Sequence, residues 1–373
     1  MSDFSATDHA HMAAALRLAE RGLFTTQPNP RVGCVIAQGE DVVGCGWHVR
    51  AGGPHAEVFA LAEAGARARG ATAYVTLEPC AHHGRTPPCA DALIAAGIGR
   101  VVVAHEDPFT EVDGRGIERL RAAGIAVETG LMKPLAAELN RGFFSRIGRG
   151  RPWVRLKLAM SLDGRTALAN GESKWITGEA ARADVQRWRA RSSVILTGLG
   201  TVRADNPRLT VRLSVSAEDE AADRRPVAPL RVVLDSRLRL PASAHVLDGS
   251  APTLLLHARD CAPVDLDFGS AERVGVEMVD DRLDLKAVLG ELARREVNEV
   301  QVEAGPTLCG ALLAEGLVDE LLLYIAPVLL GDRANPLLAP PLLSDMAARW
   351  KLKTVDQRML GPDSRWLLRP EEN

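Results

Sequence analysis

At 373 residues the chain is too long for one ordinary hydrophobic core and points to two domains. Its apolar (46%) and charged (25%) fractions are those of a soluble globular protein. A formal net charge of -3 and only 4% aromatic residues speak against a nucleic-acid surface, and no apolar run is long enough to span a membrane.

The first residues include Asp3 and Asp8 and no basic stretch, so no secretory signal is expected. A cytoplasmic setting follows, in which six cysteines serve metal binding or packing rather than disulfides. A helix is predicted over 8–22, with Met12, Ala15, Leu16 and Ala19 on one face. After a turn-rich stretch, Gln27 to Pro30, two strands at 32–37 and 42–47 flank the polar turn Gln38 to Asp41 and form a hairpin. A helix is expected from Pro54 to Arg69, with Pro54 in its first turn. A strand at 73–77, a helix at 90–96, a buried strand at 100–104 and a short strand around Val127 follow. The basic, glycine-containing stretch 145–152 is read as a linker.

Beyond it, strand and helix patterns alternate: strands at 153–159, 194–197, 231–234, 300–303 and 320–325, and helices at 178–191, 283–295 and 307–315. Asp163-Gly164 reads as a turn, and 214–226 as a polar surface loop. The whole is expected to be α/β, with one domain over 1–146 and a second over 150–373.

Chemistry concentrates in the first domain. His55 and Glu57 fall in the first turn of a predicted helix, Cys80 follows a strand, and Cys89 opens the next helix. A helix N-terminus carries free N–H groups and positive partial charge, which favour the metal-binding thiolate. One histidine and two cysteines suit zinc and leave its fourth position open, as a catalytic site requires. Glu57 is then free to move a proton between water and a leaving amine. The pattern follows the H-x-E and P-C parts of the zinc base-deaminase signature but departs from C-x-x-C, because Cys89 is nine residues after Cys80. A structural zinc with His82 or His83 as fourth ligand stays open. Cys34 and Cys45, in strand patterns beside glycine, are read as packing residues.

The string from Pro79 to Cys89 (PCAHHGRTPPC) resembles the deaminase half of the bifunctional deaminase–reductases of riboflavin biosynthesis, in which the longer Cys–Cys loop is the rule. The strings at 28–34 (PNPRVGC), 53–57 (GPHAE), 159–166 (AMSLDGRT), 171–177 (GESKWIT), 201–207 (TVRADNP) and 302–307 (VEAGPT) extend the resemblance over nearly the whole chain. It implies a cytidine-deaminase-like three-layer α/β/α domain followed by a dihydrofolate-reductase-like α/β domain. It further implies one zinc ion per chain, NADPH, small pyrimidine nucleotides as substrates and a homo-oligomer. The first site would remove an amine from a diaminohydroxyphosphoribosylaminopyrimidine. By motif position, Asn29, His48, His82 and Arg85 would contact that substrate.

The second half has no G-x-G-x-x-G in the right context. Glu303 to Thr307 ends a strand pattern and begins a helix, a place where backbone N–H groups bind phosphate or where the chain simply turns. The resemblance favours the cofactor. It places cofactor contacts at Ala159, Trp175, Thr201, Asp205, Ser236, Gly305, Pro306, Thr307, Leu308, Cys309, Gly310 and Ala311. Substrate contacts would be Ser173, Arg189, Leu209, Arg212 and Glu303, with Lys157 a further candidate. Arg189 and Arg212 could hold a phosphate, and no proton donor for the sugar is evident. Two other readings stay open: a deaminase of free or nucleic-acid bases, against which the charge and aromatic content argue, and a nucleotide-sensing protein, against which an intact Glu57 argues.

Overall fold

A computed structural model describes residues 4–81, 88–109, 114–214, 216, 224–262, 267–339 and 343–371. The chain forms two compact units, Met1–Gly150 with Val215–Val227, and Arg151–Ser214 with Ala228–Asn373. No helix among the described residues is long and apolar enough to cross a membrane.

The first unit is built on five strands: β1 (Gly33–Gln38), β2 (Asp41–Trp47), β3 (Thr72–Val75), β4 (Arg100–Val103) and β5 (Ala126–Thr129). Their order is β2-β1-β3-β4-β5, with β1 antiparallel to both neighbours and β3, β4 and β5 mutually parallel. Side chains alternate between faces. Cys34 and Ile36 enter one core with the helices α2 (Ala56–Ala64), α3 (Cys89–Ala95) and α4 (Arg115–Ala122). Val35 and Ala37 enter the opposite core with α1 (Ala6–Glu20) and α5 (Lys133–Leu139). The result is a three-layer α/β/α sandwich. Ser5 and Asp8 cap α1 reciprocally, which fixes where it starts.

The layer carrying α2 is unusually close to the sheet. A Cβ on Gly44 would lie 2.2 Å from the Ala60 carbonyl oxygen, and one on Gly46 would lie 2.3 Å from that of Ala56. Only glycine permits this approach, and it brings the start of α2 directly over β2.

Three expectations change. The helix expected from Pro54 to Arg69 is α2 followed by a 3-10 turn, Gly65–Ala68, and its N-cap is His55, so Pro54 lies outside it. The stretch read as a linker is mostly helix, α6 (Arg141–Arg149), ended by Gly150 at φ 66°. The Arg146 guanidinium lies over the Phe143 ring, 5.6 Å from its centroid, and Arg149 bonds the Ser145 hydroxyl at 3.1 Å, so these basic residues belong to a packed helix rather than a linker. Finally, the end of the polar loop belongs with the first unit. Val227 N–H donates to the Phe24 carbonyl at 2.8 Å, Arg50 Nη2 donates to the Arg225 carbonyl at 2.8 Å, and the Arg224 guanidinium lies 5.6 Å from the Trp47 ring centroid.

The second unit contains β6 (Trp153–Ser161), β7 (Arg165–Ala167), β8 (Val194–Gly198), β9 (Leu230–Leu234), β10 (Thr253–Ala258), β11 (Glu272–Val276), β12 (Met278–Val279), β13 (Arg282–Leu283), β14 (Glu299–Val302), β15 (Glu320–Ala326), β16 (Asn335–Pro336), β17 (Leu352–Leu360) and β18 (Asp363–Pro370). Nine of them form one sheet, β11-β10-β9-β8-β14-β6-β15-β18-β17, parallel except for the terminal hairpin β17–β18. Helices α7 (Glu179–Arg191) and α8 (Leu199–Asp205) precede and follow β8. The turn at Asp163-Gly164 joins β6 to β7 as expected. The chain order reverses around β8, β14 and β6, so a crevice opens at the carboxyl ends of these strands. At their other ends an ionic layer is sealed in. Fully buried Arg155 bonds Glu299 at 2.8 Å and Glu320 at 2.7 Å.

The close α2–β2 packing makes Gly46→Ala a sensitive probe. It is expected to destabilise the first unit by about 1–3 kcal/mol through overpacking. Urea unfolding monitored together with bound zinc checks this, and unchanged stability would mean that α2 can slide.

Candidate active sites

In the first unit two helix starts meet at one end of the strands, beyond the carboxyl ends of β3 and β4. His55 is the N-cap of α2 and Cys89 the first residue of α3. Cys80 follows β3 through Glu78, whose N–H donates to the His105 carbonyl and carries the chain alongside the end of β4. The ligand atoms of His55, Cys80 and Cys89 all lie within 4.8 Å of one another. His55 Nδ1 is 3.7 Å from Cys80 Sγ and 3.3 Å from Cys89 Sγ. Tetrahedral zinc bonds of ~2.1 Å to nitrogen and ~2.3 Å to sulfur imply nitrogen–sulfur edges of ~3.6 Å, so the donor set fits the ion.

Electrostatics prepare the site. Hydrogen bonding from the Cys89 side chain, from His55 and from the Cys89 backbone holds the Cys80 thiol well below its ordinary value, against the opposing effect of burial. The Cys89 N–H donates to its sulfur at 3.3 Å from the start of α3. The same sharing, together with burial, raises Cys89. Glu57, in the first turn of α2, is buried, and its Oε2 has no hydrogen-bond partner among the described residues. Burial raises its carboxyl above the ordinary value, and the neighbouring Cys80 adds to this while His55 opposes it. A buried orphan oxygen beside a metal-ligand set is the arrangement a water-activating acid–base group requires.

Asn29 and His48 stand together. The Pro54 carbonyl can only accept, so His48 Nδ1 donates to it at 3.0 Å. Nε2 is then the acceptor, and it takes a hydrogen bond from the Asn29 amide at 3.1 Å. Burial lowers the His48 imidazole below its ordinary value, consistent with a neutral ring. His82 and Arg85 lie outside the described residues. Cys34 is fully buried in the core, while half-buried Cys45 bonds the Glu63 carboxylate.

The crevice of the second unit is a cleft of about 1580 Å³. It gathers most of the residues expected there. Lys157, Ala159, Ser173, Trp175, Arg189, Thr201, Asp205, Leu209, Arg212, Ser236, Glu303, Gly305, Pro306, Thr307, Leu308 and Ala311 all line it. Cys309 and Gly310 do not. Both are buried in the helix Pro306–Ala314, and Cys309 packs in the core with its thiol donating to the Ala304 carbonyl. Trp175 is 70% exposed under the Arg182 guanidinium, so it is a rim residue rather than a core aromatic.

Arg189 does not point free guanidinium edges into the cleft. Its Nε and Nη2 each bond Glu303 at 2.7 Å, and Nη1 donates to the Thr210 carbonyl. Gln301 adds a bond to Glu303 at 2.8 Å, a contact that the strand pattern gave no reason to expect. Burial would raise the Glu303 carboxyl, but Arg189 and Lys157 outweigh it and bring it to about 2. Half-buried Lys157 is lowered by burial and by Arg189, against the opposing effect of Glu303. Two helix starts, Gly198 before α8 and Gly305 before Pro306–Ala314, border the same cleft and can receive phosphate groups.

Comparison with known proteins agrees with this geometry. Residues 5–105 match the cytidine and deoxycytidylate deaminase zinc-binding region, and residues 152–363 match the RibD C-terminal domain. The riboflavin biosynthesis protein RibD of Escherichia coli is 49% identical over 362 residues, spanning 95% of this chain and 97% of that protein. That of Haemophilus influenzae is 45% identical over 376 residues and the full length of both. The structure of Acinetobacter baumannii RibD, form 1, superposes with a TM-score of 0.90 at 45% identity, covering 98% of this chain and 99% of that one. The Thermotoga maritima diaminohydroxyphosphoribosylaminopyrimidine deaminase/5-amino-6-(5-phosphoribosylamino)uracil reductase reaches 0.84 at 32% identity, with the same coverage. The first unit is thus cytidine-deaminase-like and the second a dihydrofolate-reductase-like α/β domain. The chain belongs to the RibD family, the bifunctional enzymes of riboflavin biosynthesis that join a zinc-dependent deaminase to a nicotinamide-dependent reductase in one polypeptide.

Proposed function

We propose that the first site deaminates a diaminohydroxyphosphoribosylaminopyrimidine and that the second reduces the ribosyl group of 5-amino-6-(5-phosphoribosylamino)uracil to ribityl with NADPH. The substrates are those that give the Thermotoga maritima deaminase/reductase its name. The observation that carries the reading is the orphan Glu57 Oε2 beside the His55, Cys80 and Cys89 donor set. One zinc ion per chain would sit on those three residues and, when bound, supplies an acidified water. Glu57 holds the proton of that water at a carboxylate oxygen and hands it to the departing amine. Asn29 and His48 border the pyrimidine, and His48 orients the Asn29 amide. His82 and Arg85 are carried over by motif position, and a homo-oligomeric, cytoplasmic enzyme is the expectation for the chain.

At the second site Ala159, Trp175, Thr201, Asp205, Ser236, Gly305, Pro306, Thr307, Leu308 and Ala311 would hold NADPH, which supplies the hydride. Ser173, Leu209 and Arg212 would border the sugar phosphate. The bidentate Arg189–Glu303 pair acts as a fixed wall. Lys157 stands beside it as the residue able to give a proton to the sugar oxygen released when the ring opens.

Three outcomes test this. Glu57→Gln keeps zinc and reduction but lowers deamination by ~10²-fold or more. Loss of both activities together would contradict two separate sites. Lys157→Met does the reverse, and the wild-type reductase rate falls on the alkaline side below an ordinary lysine's pKa, because the protonated donor is lost there. A reductase rate that is flat up to pH ~10.4 would exclude Lys157 as donor. Zinc uptake releases protons, because Cys80 and Cys89 bind as thiolates and His55 as a neutral imidazole. The yield rises as pH falls and His55, whose imidazole is raised chiefly by its bond to Cys80, gains a proton to lose. Calorimetry in buffers of different ionisation enthalpy reads this number.

A further inference from the structure

A C-x-x-C metal site fixes its two sulfurs through the shortness of the chain between them. Here eight residues lie between Cys80 and Cys89, so the chain alone does not fix the spacing. Direct bonds tie the two segments where they meet, from the Cys89 N–H to Cys80 Sγ at 3.3 Å and from the Ala90 N–H to the Cys80 carbonyl at 3.2 Å, and α4 is packed where it can brace both.

Glu78 lies two residues before Cys80 and is buried, with 4% exposure. Its Oε1 accepts from the N–H groups of Gly116 at 2.9 Å and Ile117 at 3.2 Å. Its Oε2 accepts from Gly114 at 3.1 Å and Asp107 at 3.2 Å. A carboxylate taken out of water needs such compensation, and three N–H donors at the start of α4 with a fourth from Asp107, after β4, supply it. Contact is so close that a Cβ on Gly116 would lie 1.9 Å from the Pro79 carbonyl oxygen. One turn further along α4, Arg119 reaches both ligand segments. Its Nη1 donates to the Ala81 carbonyl at 3.3 Å, next to Cys80, and its Nε lies 2.6 Å from Asp91 Oδ1, two residues after Cys89.

We propose that Glu78 and Arg119, both anchored on α4, are positioning residues that set the distance between the two zinc thiolates across the long loop. Glu78 is the main fastening. Arg119 is half exposed and contributes less. The inference rests on the zinc reading of His55, Cys80 and Cys89.

The test uses full-length protein loaded with zinc or with cobalt(II) as a spectroscopic substitute. Glu78→Gln turns an acceptor oxygen into an NH₂ group facing N–H donors. Zinc transfer to a chelator should then speed up by ~10–100-fold, as for other residues that orient metal ligands. The cobalt ligand-field bands should shift, and deaminase kcat should fall, while the reductase of the same chain keeps its rate. Arg119→Met should release zinc a few-fold faster. A merely structural role would lower the melting temperature without moving the cobalt bands or the zinc release measured well below melting. The proposal is overturned if Glu78→Gln matches the parent in cobalt spectrum and zinc release. If that variant does not fold, parental zinc release by Arg119→Met overturns it. A parent protein that binds no zinc would instead refute the zinc reading itself.

Discussion

The deaminase site depends on two helices beginning at the same end of the strands of one sheet. α2 delivers His55 as its N-cap and Glu57 in its first turn, and α3 delivers Cys89 as its first residue. Both starts bring helix-terminal positive partial charge to the place where two thiolates must form, and the Cys89 N–H donates to Cys80 Sγ there. The glycines of β2 let α2 approach closely enough for His55 Nδ1 to stand within reach of both sulfurs. Ligand distance, thiolate stability and the dry setting of Glu57 therefore share one cause, which is the packing of helix termini on the sheet.

What could be read from the sequence was local. His55, Glu57, Cys80 and Cys89 announce themselves by residue type, order and position at helix starts. The α/β alternation was visible because buried strands and amphipathic helices differ in period. What escaped was non-local or ambiguous in composition. Glu78 resembles any acidic residue until its four N–H partners, some of them nearly forty positions away, are brought to it. The 224–227 segment reads as polar loop, and nothing in its composition says that it packs against Trp47 and Phe24. The arginines of α6 read as a linker because a basic helix and an unstructured basic stretch have the same composition. Cys309 and Gly310 came with a helix assigned as a block, although only its first turn and one face border the cleft.

The second unit separates binding from stability along the length of its strands. At their carboxyl ends, the paired Arg189 and Glu303 form a charged wall lining the cleft, with Lys157 beside it. At their other ends, Arg155 is locked between Glu299 and Glu320, away from the cleft. A buried charge of this kind is costly unless fully partnered, so the layer specifies strand register more than it adds net stability. Glu303 is held to about 2. The stability its pairing contributes is therefore present above a carboxyl's ordinary pKa and is lost only as pH falls through about 2. The wall thus keeps its charge over the range in which an enzyme works, and Lys157 is left as the titrating group beside it.

The central claim is that zinc is held by three protein side chains with its fourth position open to water, which makes the site catalytic. X-ray absorption at the zinc edge of the full-length protein tests this most directly. The expected spectrum has one zinc per chain, two sulfurs at ~2.3 Å, and two lighter donors at ~2.0–2.1 Å of which one is an imidazole. Two imidazoles would mean that a second histidine closes the shell, and the site would be structural rather than hydrolytic.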